Sequence, residues 1–202
     1  MMHTDGTNVN RKVAQGAATR ADLLASGRRL FGERGYAETS TEDIAADAGV
    51  TKGALYHHFS GKDDVMRAVY EQIKREITAR VGASFTDTEA ADFLIAGCQA
   101  TLDAHLDPAV RRIVVLDGPS VLSRDVLRDI ESRYGAVVLR GALRKAMNAG
   151  VIERQPLAPL AQMLNGALAE ACNVIDGADD PAAARAEVGQ VLNRILAGLK
   201  PS

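Results

Sequence analysis

The stretch TEDIAADAGVTKGALYHHF, residues 41–59, constrains the fold most, because it encodes two short helices joined by a tight turn. Ser40 and Asp43 form a capping-box pattern at the start of the first helix. Gly49 supplies the positive φ that ends this helix and begins a sharp turn, and Thr51 caps the second helix. The pattern predicts a helix-turn-helix.

The second of these helices has an outward surface without a carboxylate. Its outward residues, which include one lysine, two imidazoles and a phenol, are Lys52, Gly53, Ala54, Tyr56, His57 and His58. A short helix that presents such a face after a glycine turn is typical of the element that enters the DNA major groove.

The bulk composition restricts where DNA affinity can arise. The 202 residues carry a net charge of −2, which excludes a globally basic nucleic-acid binder and requires a local patch. No stretch is long and apolar enough to span a bilayer, and the N-terminal residues lack the apolar core of a secretory signal. We therefore expect a cytoplasmic protein. The only cysteines, Cys98 and Cys172, lie in apolar helical patterns and are expected to be buried and reduced.

The whole chain is predicted to be all-α, with about nine helices, because alanine is abundant and no convincing period-2 run is present. We expect a first helix from Thr19 to Gly35, a long fourth helix from Lys62 to Ala83, and an unbroken helix from Ser123 to Asn148. The predicted domains are a flexible arm (1–17), a DNA-binding domain (18–82, motif 40–59) and a helical effector-binding and dimerisation domain (83–202).

Two stretches resemble a known family. AGVTKGALYHHFSGKDDVM and the earlier LFGERGYAETS closely resemble the N-terminal signature of the TetR family of bacterial transcriptional regulators, over about Thr19 to Tyr70. The resemblance implies an N-terminal three-helix helix-turn-helix domain followed by a C-terminal helical domain that binds ligands and dimerises. In that family the fourth helix links the two domains.

The resemblance also implies the residues that contact DNA. Hydroxyls at helix starts meet phosphates, and the family's tyrosine and lysine bind the phosphate backbone; these positions are Thr41, Thr51, Tyr56 and Lys62. The positions that face base edges are Lys52, Gly53, Ala54 and His57, while His58 contacts either a phosphate or a base. Acidic Glu42 and Asp43 limit the basic patch, which favours binding by two protomers.

Apolar stripes on the last two helices indicate a dimer interface. The candidate interface residues are Leu164, Leu168, Val188, Val191, Leu192 and Ile195. A monomer's own core is the alternative destination for these side chains. A symmetric dimer places two recognition helices roughly 34 Å apart and predicts a palindromic operator in double-stranded DNA.

Polar groups on otherwise apolar helices indicate a pocket for an unidentified small-molecule effector. The candidate residues are Cys98, Leu102, His105, Arg111, Tyr134, Asn165, Glu170 and Asn173. An inward-facing Arg111 suits an anionic group. Taken alone, each of them is better explained by a surface or structural role, and only together could they fix the orientation of a small molecule.

The sequence is interpreted as a TetR-like repressor that an effector releases from DNA. An activator or nucleoid-type DNA binder of the same fold, and a helical ligand-binding module without DNA function, are the alternatives. The metalloprotease, P-loop, nucleophile-elbow and dinucleotide-binding motifs are missing, so we expect no enzyme activity and no cofactor. The adjacent imidazoles of His57 and His58 point about 100° apart and are not expected to bind a metal.

Overall fold

The computed structural model describes residues 5–83 and 90–201, with side chains described over 13–82 and 94–201. All regular structure within these ranges is helical, which confirms the predicted fold class. The helices are α1 (Asp5–Arg34), α2 (Thr41–Asp47), α3 (Lys52–His58), α4 (Lys62–Ala83), α5 (Ala90–Ala104), α6 (Pro108–Arg111), a π-helical segment (Arg112–Asp117), α7 (Gly118–Val121), α8 (Arg124–Arg133), α9 (Gly135–Asn148), α10 (Leu157–Asp176) and α11 (Pro181–Ala197). None of the helices in the described part of the chain is long and apolar enough to cross a membrane.

The chain divides into two compact units, residues 1–70 and 71–202. The division falls within α4, twelve residues before the boundary predicted after residue 82. The polar break on which that prediction depended, residues 82–88, lies almost wholly outside the described part. Packing therefore places the boundary within α4 and not after it. The helix is continuous, but its first part belongs to the N-terminal unit and its second part to the C-terminal unit.

Helix α1 starts earlier than the sequence pattern predicted. It begins at Asp5 rather than Thr19, so the segment 1–17, predicted as a flexible arm, is helical from Asp5 onward. This segment contains no proline and several good helix formers, such as Arg11, Lys12 and Ala14, which outweigh its glycines. The basic residues of the predicted arm, Arg11 and Lys12, lie outside the described side chains.

The N-terminal unit is held together by a small apolar core between α1, α2, α3 and α4. Its fully or almost fully buried side chains include Leu23, Leu30, Phe31, Ile44, Leu55, Phe59, Val65, Met66 and Val69. Gly27 on α1 lies against α4, where a Cβ atom would stand 2.8 Å from Val65 Cγ1 and 3.5 Å from Val69 Cγ2. The absence of a side chain at Gly27 therefore allows the two helices to approach closely.

We expect Gly27→Ala to lower the free energy of unfolding by about 1 kcal/mol. Overpacking costs about 1–3 kcal/mol, and the higher helix propensity of alanine offsets up to about 1 kcal/mol of this. Urea denaturation followed by circular dichroism measures the effect. The control Gly141→Ala, at an exposed α9 position with open space, should stabilise by about 0.5–1 kcal/mol. Equal changes in the free energy of unfolding for Gly27→Ala and Gly141→Ala would show that close helix packing does not require glycine at position 27.

The C-terminal unit has a larger core formed by α5, α9, α10 and α11. Its buried residues are Leu94, Cys98, Leu102, Leu139, Ala142, Leu143, Ala146, Met147, Ile152, Ala161, Leu164, Leu168, Ala171, Cys172, Ile175, Leu192 and Leu196. Both cysteines are buried and reduced, as predicted. Burial raises the pKa of the Cys98 thiol to about 12 and that of Cys172 to about 11, so both thiols are protonated.

The prediction of one unbroken helix from Ser123 to Asn148 is wrong, because this segment forms two helices, α8 and α9, that meet at Tyr134. Ser123 caps α8, and Tyr134 leaves helical geometry with φ −116° and ψ −89°. The Tyr134 hydroxyl donates to Glu71 Oε1 on α4 at 2.9 Å, and Arg133 forms an ion pair with the same carboxylate. Contacts with a neighbouring helix thus accompany a break that the local apolar pattern does not encode.

Candidate nucleic-acid interface

The helix-turn-helix predicted over residues 40–59 is present, with its caps formed as expected. Ser40 Oγ accepts from the Asp43 backbone N at 3.0 Å, and Asp43 Oδ2 accepts from the Ser40 backbone N at 2.9 Å. Gly49 has φ +67°, the left-handed conformation that the turn between α2 and α3 requires. Thr51 Oγ1 accepts from the Ala54 backbone N at 3.2 Å and so caps α3. Local hydrogen bonds therefore fix both the start of each helix and the turn.

Helix α3 has one buried and one exposed side. Leu55 and Phe59 are 0% and 2% exposed and anchor the helix in the N-terminal core. On the other side Lys52, Gly53, Tyr56 and His57 are exposed, while Ala54 and His58 are half-buried. The predicted base-facing residues therefore share a surface that the rest of the unit leaves accessible.

A shallow groove of about 460 Å³ lies beside this surface. It is lined by Ala37, Glu38, Thr39, Ser40, Thr41, Glu42, Asp43, Tyr56 and Lys62. Thr41 Oγ1 lies 3.4 Å from the Tyr56 hydroxyl. Three of the four residues predicted to contact phosphates, Thr41, Tyr56 and Lys62, thus border one groove, while the fourth, Thr51, caps α3.

Lys62 is positioned by Tyr36 in the segment between α1 and α2. Its Nζ donates to the Tyr36 carbonyl at 3.0 Å and stands 4.0 Å from the centre of the Tyr36 ring. The Tyr36 hydroxyl in turn donates to Asp63, and burial together with that carboxylate raises the pKa of Tyr36 to about 12. An ammonium has three donors, so a lysine held in this way retains donors for a phosphate.

Glu42 makes a contact that the sequence analysis missed. Its Oε1 accepts from Lys52 Nζ, and its Oε2 accepts from Thr41 Oγ1 at 2.9 Å. These two hydrogen bonds, of which that from Lys52 is the stronger cause, lower the pKa of Glu42 to about 2. The sequence places opposite charges at the starts of two helices joined by a short turn, but it does not give the angle between the helices that brings the two charges together. Lys52 Nζ also lies 5.8 Å from the centre of the Tyr56 ring.

The predicted effector residues do not form one group. Cys98 and Leu102 are buried on α5, and His105 is buried in the turn that follows it. His105 Nδ1 lies 2.8 Å from the Thr101 carbonyl, and burial lowers the pKa of His105. Cys98 and Leu102 belong to the apolar core of the C-terminal unit.

The remaining candidates lie elsewhere in the C-terminal unit. Arg111 pairs with Asp176 at 3.3 Å between Nε and Oδ1, and both side chains are mostly buried. Asn165 is half-buried, whereas Glu170 and Asn173 lie on the exposed face of α10, where Asn173 Nδ2 donates to Glu170 Oε2 at 3.1 Å. Glu170 and Asn173 are thus exposed on α10, whereas the candidates on α5 are buried.

Burial divides the candidate interface residues on the two terminal helices into two sets. Leu164, Leu168 and Leu192 are at most 8% exposed and belong to this chain's own core, and Val188 packs against that core. Val191 and Ile195 are 55% and 45% exposed. The three leucines therefore contribute to this chain's own core, and Val191 and Ile195 are the candidates that remain exposed.

Two further exposed apolar residues were not among the candidates. Met163 and Val174 on α10 are 74% and 48% exposed. They are eleven positions apart, which is close to three helical turns, so they lie on one face. The periodicity of α10 contained this second stripe, but the stronger core stripe obscured it.

Comparison with known proteins covers both units. The family model described as "Bacterial regulatory proteins, tetR family" matches residues 23–69. The model described as "Tetracyclin repressor-like, C-terminal domain" matches residues 91–199.

Individual proteins match over most of the chain. The crystal structure of a TetR-family transcriptional regulator from Pectobacterium atrosepticum superimposes with a TM-score of 0.81 at 35% identity, covering 94% of this chain and 97% of that one. The transposon Tn10 TetC protein of Escherichia coli is 27% identical over 79% of this chain and 81% of its own length. The transcriptional regulator TtgR of Pseudomonas putida is 30% identical over 64% of each chain.

Proposed function

The chain belongs to the TetR family of transcriptional regulators, and on that premise we propose that it is a repressor that binds a palindromic operator as a homodimer and is released by a small-molecule effector. The observation that carries the proposal is the exposed outer side of α3, whose inner side is anchored by Leu55 and Phe59. A short helix held in this way can enter a major groove without any change in the unit that supports it.

Phosphate and base contacts are assigned to different parts of this surface. Thr41, Tyr56 and Lys62 border one groove and supply hydroxyl and ammonium donors to the DNA backbone. Lys52 donates to guanine, and Ala54 offers its methyl group to thymine. Thr51, Gly53, His57 and His58 complete the surface that approaches the duplex.

Dimerisation is supported by the apolar side chains that α10 and α11 leave exposed. Met163, Val174, Val191 and Ile195 are between 45% and 74% exposed, although each is an apolar residue on a helix of the C-terminal unit. Exposed apolar groups concentrated on two adjacent helices mark an interaction surface. We propose that a second copy covers it about a two-fold axis, which sets the two recognition helices one DNA turn, roughly 34 Å, apart.

Repression and its release follow from this arrangement. A dimer seated on a promoter excludes polymerase by occupying the same DNA and needs no further contact. An effector that binds the C-terminal unit releases the operator only if it binds the DNA-incompetent arrangement more tightly than the competent one. Equal affinity for the two arrangements would leave the operator occupied.

A gel shift on the DNA upstream of the chain's own gene and of its neighbours tests the proposal. We expect a saturable complex at nanomolar to micromolar protein that excess random DNA does not remove. A complex that random DNA competes away equally well would support a nucleoid-type binder instead. If no complex forms on any duplex, the chain is not a DNA-binding regulator.

Lys62→Ala is expected to weaken binding on all sequences equally, by about tenfold or more, because a hydrogen bond to a charged group contributes roughly 1.5–3 kcal/mol. The plot of log affinity against log salt concentration should lose about one unit of slope, since one phosphate contact is lost. Fluorescence anisotropy at several salt concentrations measures both quantities.

The exposed lysine Lys200 provides the control, and Lys200→Ala should change neither affinity nor slope. Lys62 also donates to the Tyr36 carbonyl, so thermal unfolding of the variant is measured alongside. A change in base preference without a change in slope would contradict the phosphate assignment.

A further inference from the structure

The ion pair between Glu42 and Lys52 lies on the surface that would face DNA. Glu42 belongs to α2 and Lys52 begins α3, so the pair spans the turn of the helix-turn-helix. Each side chain is 56% exposed, which leaves the pair open to solvent and to an incoming duplex. The carboxylate is also fixed by the Thr41 hydroxyl at 2.9 Å, and Thr41 lies 3.4 Å from the Tyr56 hydroxyl. Glu42 is thus held in place between the backbone-contacting residues and the base-contacting lysine.

An exposed ion pair of this kind is weak enough to open. Pairs in full contact with water contribute little to stability, because the surrounding solvent screens them. For the ion pair to open, however, the DNA must offer Lys52 a hydrogen-bond acceptor in place of the Glu42 carboxylate. It also leaves Glu42 as an unpaired negative charge close to DNA phosphates, which repel it. Whether the pair opens therefore depends on what the duplex offers to Lys52.

We propose that Glu42 is a specificity-determining residue, because it withholds Lys52 from DNA that lacks a matching guanine. On a random sequence Lys52 remains paired with Glu42 and makes no phosphate contact. On the operator, guanine O6 and N7 accept from Lys52 in a directed way and replace the carboxylate. Glu42 thereby lowers affinity for all DNA but lowers it more for the wrong sequences. The inference rests on the proposed function, since it assumes that α3 enters a major groove.

Glu38 supplies the matched control. It lines the same groove, but it is not the carboxylate that accepts from Lys52. Glu38→Gln therefore removes the same charge from the same surface without releasing the lysine. A comparison of Glu42→Gln with Glu38→Gln separates the loss of repulsion from the release of Lys52.

The test measures binding of the full-length chain to a 30-base-pair duplex of random sequence as a function of salt. Glu42→Gln should raise affinity for this duplex about three- to tenfold and steepen the salt slope by about one unit, because Lys52 now neutralises a phosphate. Glu38→Gln should raise affinity by about twofold at most and leave the slope unchanged. Circular dichroism and thermal unfolding verify that each variant is folded.

Two additional variants connect the effect to Lys52. Lys52→Gln alone leaves the exposed Glu42 carboxylate without its cation, so it should lower affinity for the random duplex by about twofold at most, and it should leave the slope nearly unchanged because the lysine makes no phosphate contact there. In the Glu42→Gln background the same replacement should remove the gain and lower the slope by about one unit. Glu42→Gln should also raise affinity less for the upstream duplex that the wild-type protein binds in the gel shift than for random DNA.

Several results would overturn the inference. These are equal effects of Glu42→Gln and Glu38→Gln, an equal effect of Lys52→Gln in both backgrounds, or an equal gain from Glu42→Gln on the upstream and random duplexes. All of them leave DNA binding by the wild-type protein intact and so leave the proposed function standing. Failure of the wild-type protein to bind any duplex would overturn both.

Discussion

Replacing Met163 by aspartate is expected to convert the proposed dimer into a monomer while the chain remains folded. Met163 is 74% exposed in the single chain, so a carboxylate there is solvated in the monomer and costs little. In the proposed dimer the same carboxylate would be buried against apolar side chains, which costs about 2–3 kcal/mol for each of two copies. The dimer dissociation constant should therefore rise about 10³- to 10⁴-fold. Sedimentation at micromolar concentration distinguishes the two states.

The adjacent residue Gln162 is the matched control. It is also exposed on α10 but projects about 100° away from Met163. Gln162→Asp adds the same charge and should leave the dimer intact. The monomeric Met163→Asp variant should also lose operator binding down to its level on random DNA, because one recognition helix contacts only half a site. A Met163→Asp protein that remains dimeric would place the interface on another surface.

Replacing Gly53 by glutamate is expected to abolish DNA binding without harming the fold. Gly53 is exposed on α3, and the nearest atom to an added Cβ is Thr51 Oγ1 at 3.8 Å, so the side chain has room in the free protein. Glutamate is a better helix former than glycine, which should raise the free energy of unfolding by up to about 1 kcal/mol. Against DNA the new carboxylate meets phosphates and base edges, and like charges brought together cost several kcal/mol. Operator affinity should fall at least about 100-fold.

Gly141→Glu is the control for this variant. Gly141 is likewise an exposed helical glycine with open space around it, but it lies on α9 in the other unit. The replacement changes net charge equally and should alter DNA affinity by less than about twofold, since a distant exposed charge is screened. If Gly53→Glu bound the operator as well as Gly141→Glu does, α3 would not be the element that contacts DNA.

The parts of the site that depend on local interactions could be predicted from the sequence. Ser40 and Asp43 satisfy each other within one helical turn, and Gly49 is needed wherever the chain must adopt positive φ. Leu55 and Phe59 face inward because residues four apart share a helix face. These features require no knowledge of the rest of the chain.

The parts that depend on how elements meet could not be predicted. The pairing of Glu42 with Lys52 depends on the angle between α2 and α3, which the turn sequence does not state. The break at Tyr134 accompanies contacts with Glu71, a residue 63 positions away. On α10 and α11 the sequence identified apolar stripes, but only packing separates buried Leu168 from exposed Val191.

Hydroxyl-radical footprinting of the upstream DNA with the wild-type protein tests the central claim most directly, namely that α3 enters the major groove in two-fold related pairs. We predict two protected segments on one face of the duplex, related by sequence symmetry and centred roughly 34 Å, or one helical turn, apart. Two protomers should bind each such site, and protection of both segments should vanish together with Met163→Asp. A single unsymmetrical protected segment occupied by one protomer, or uniform protection along the duplex, would contradict it.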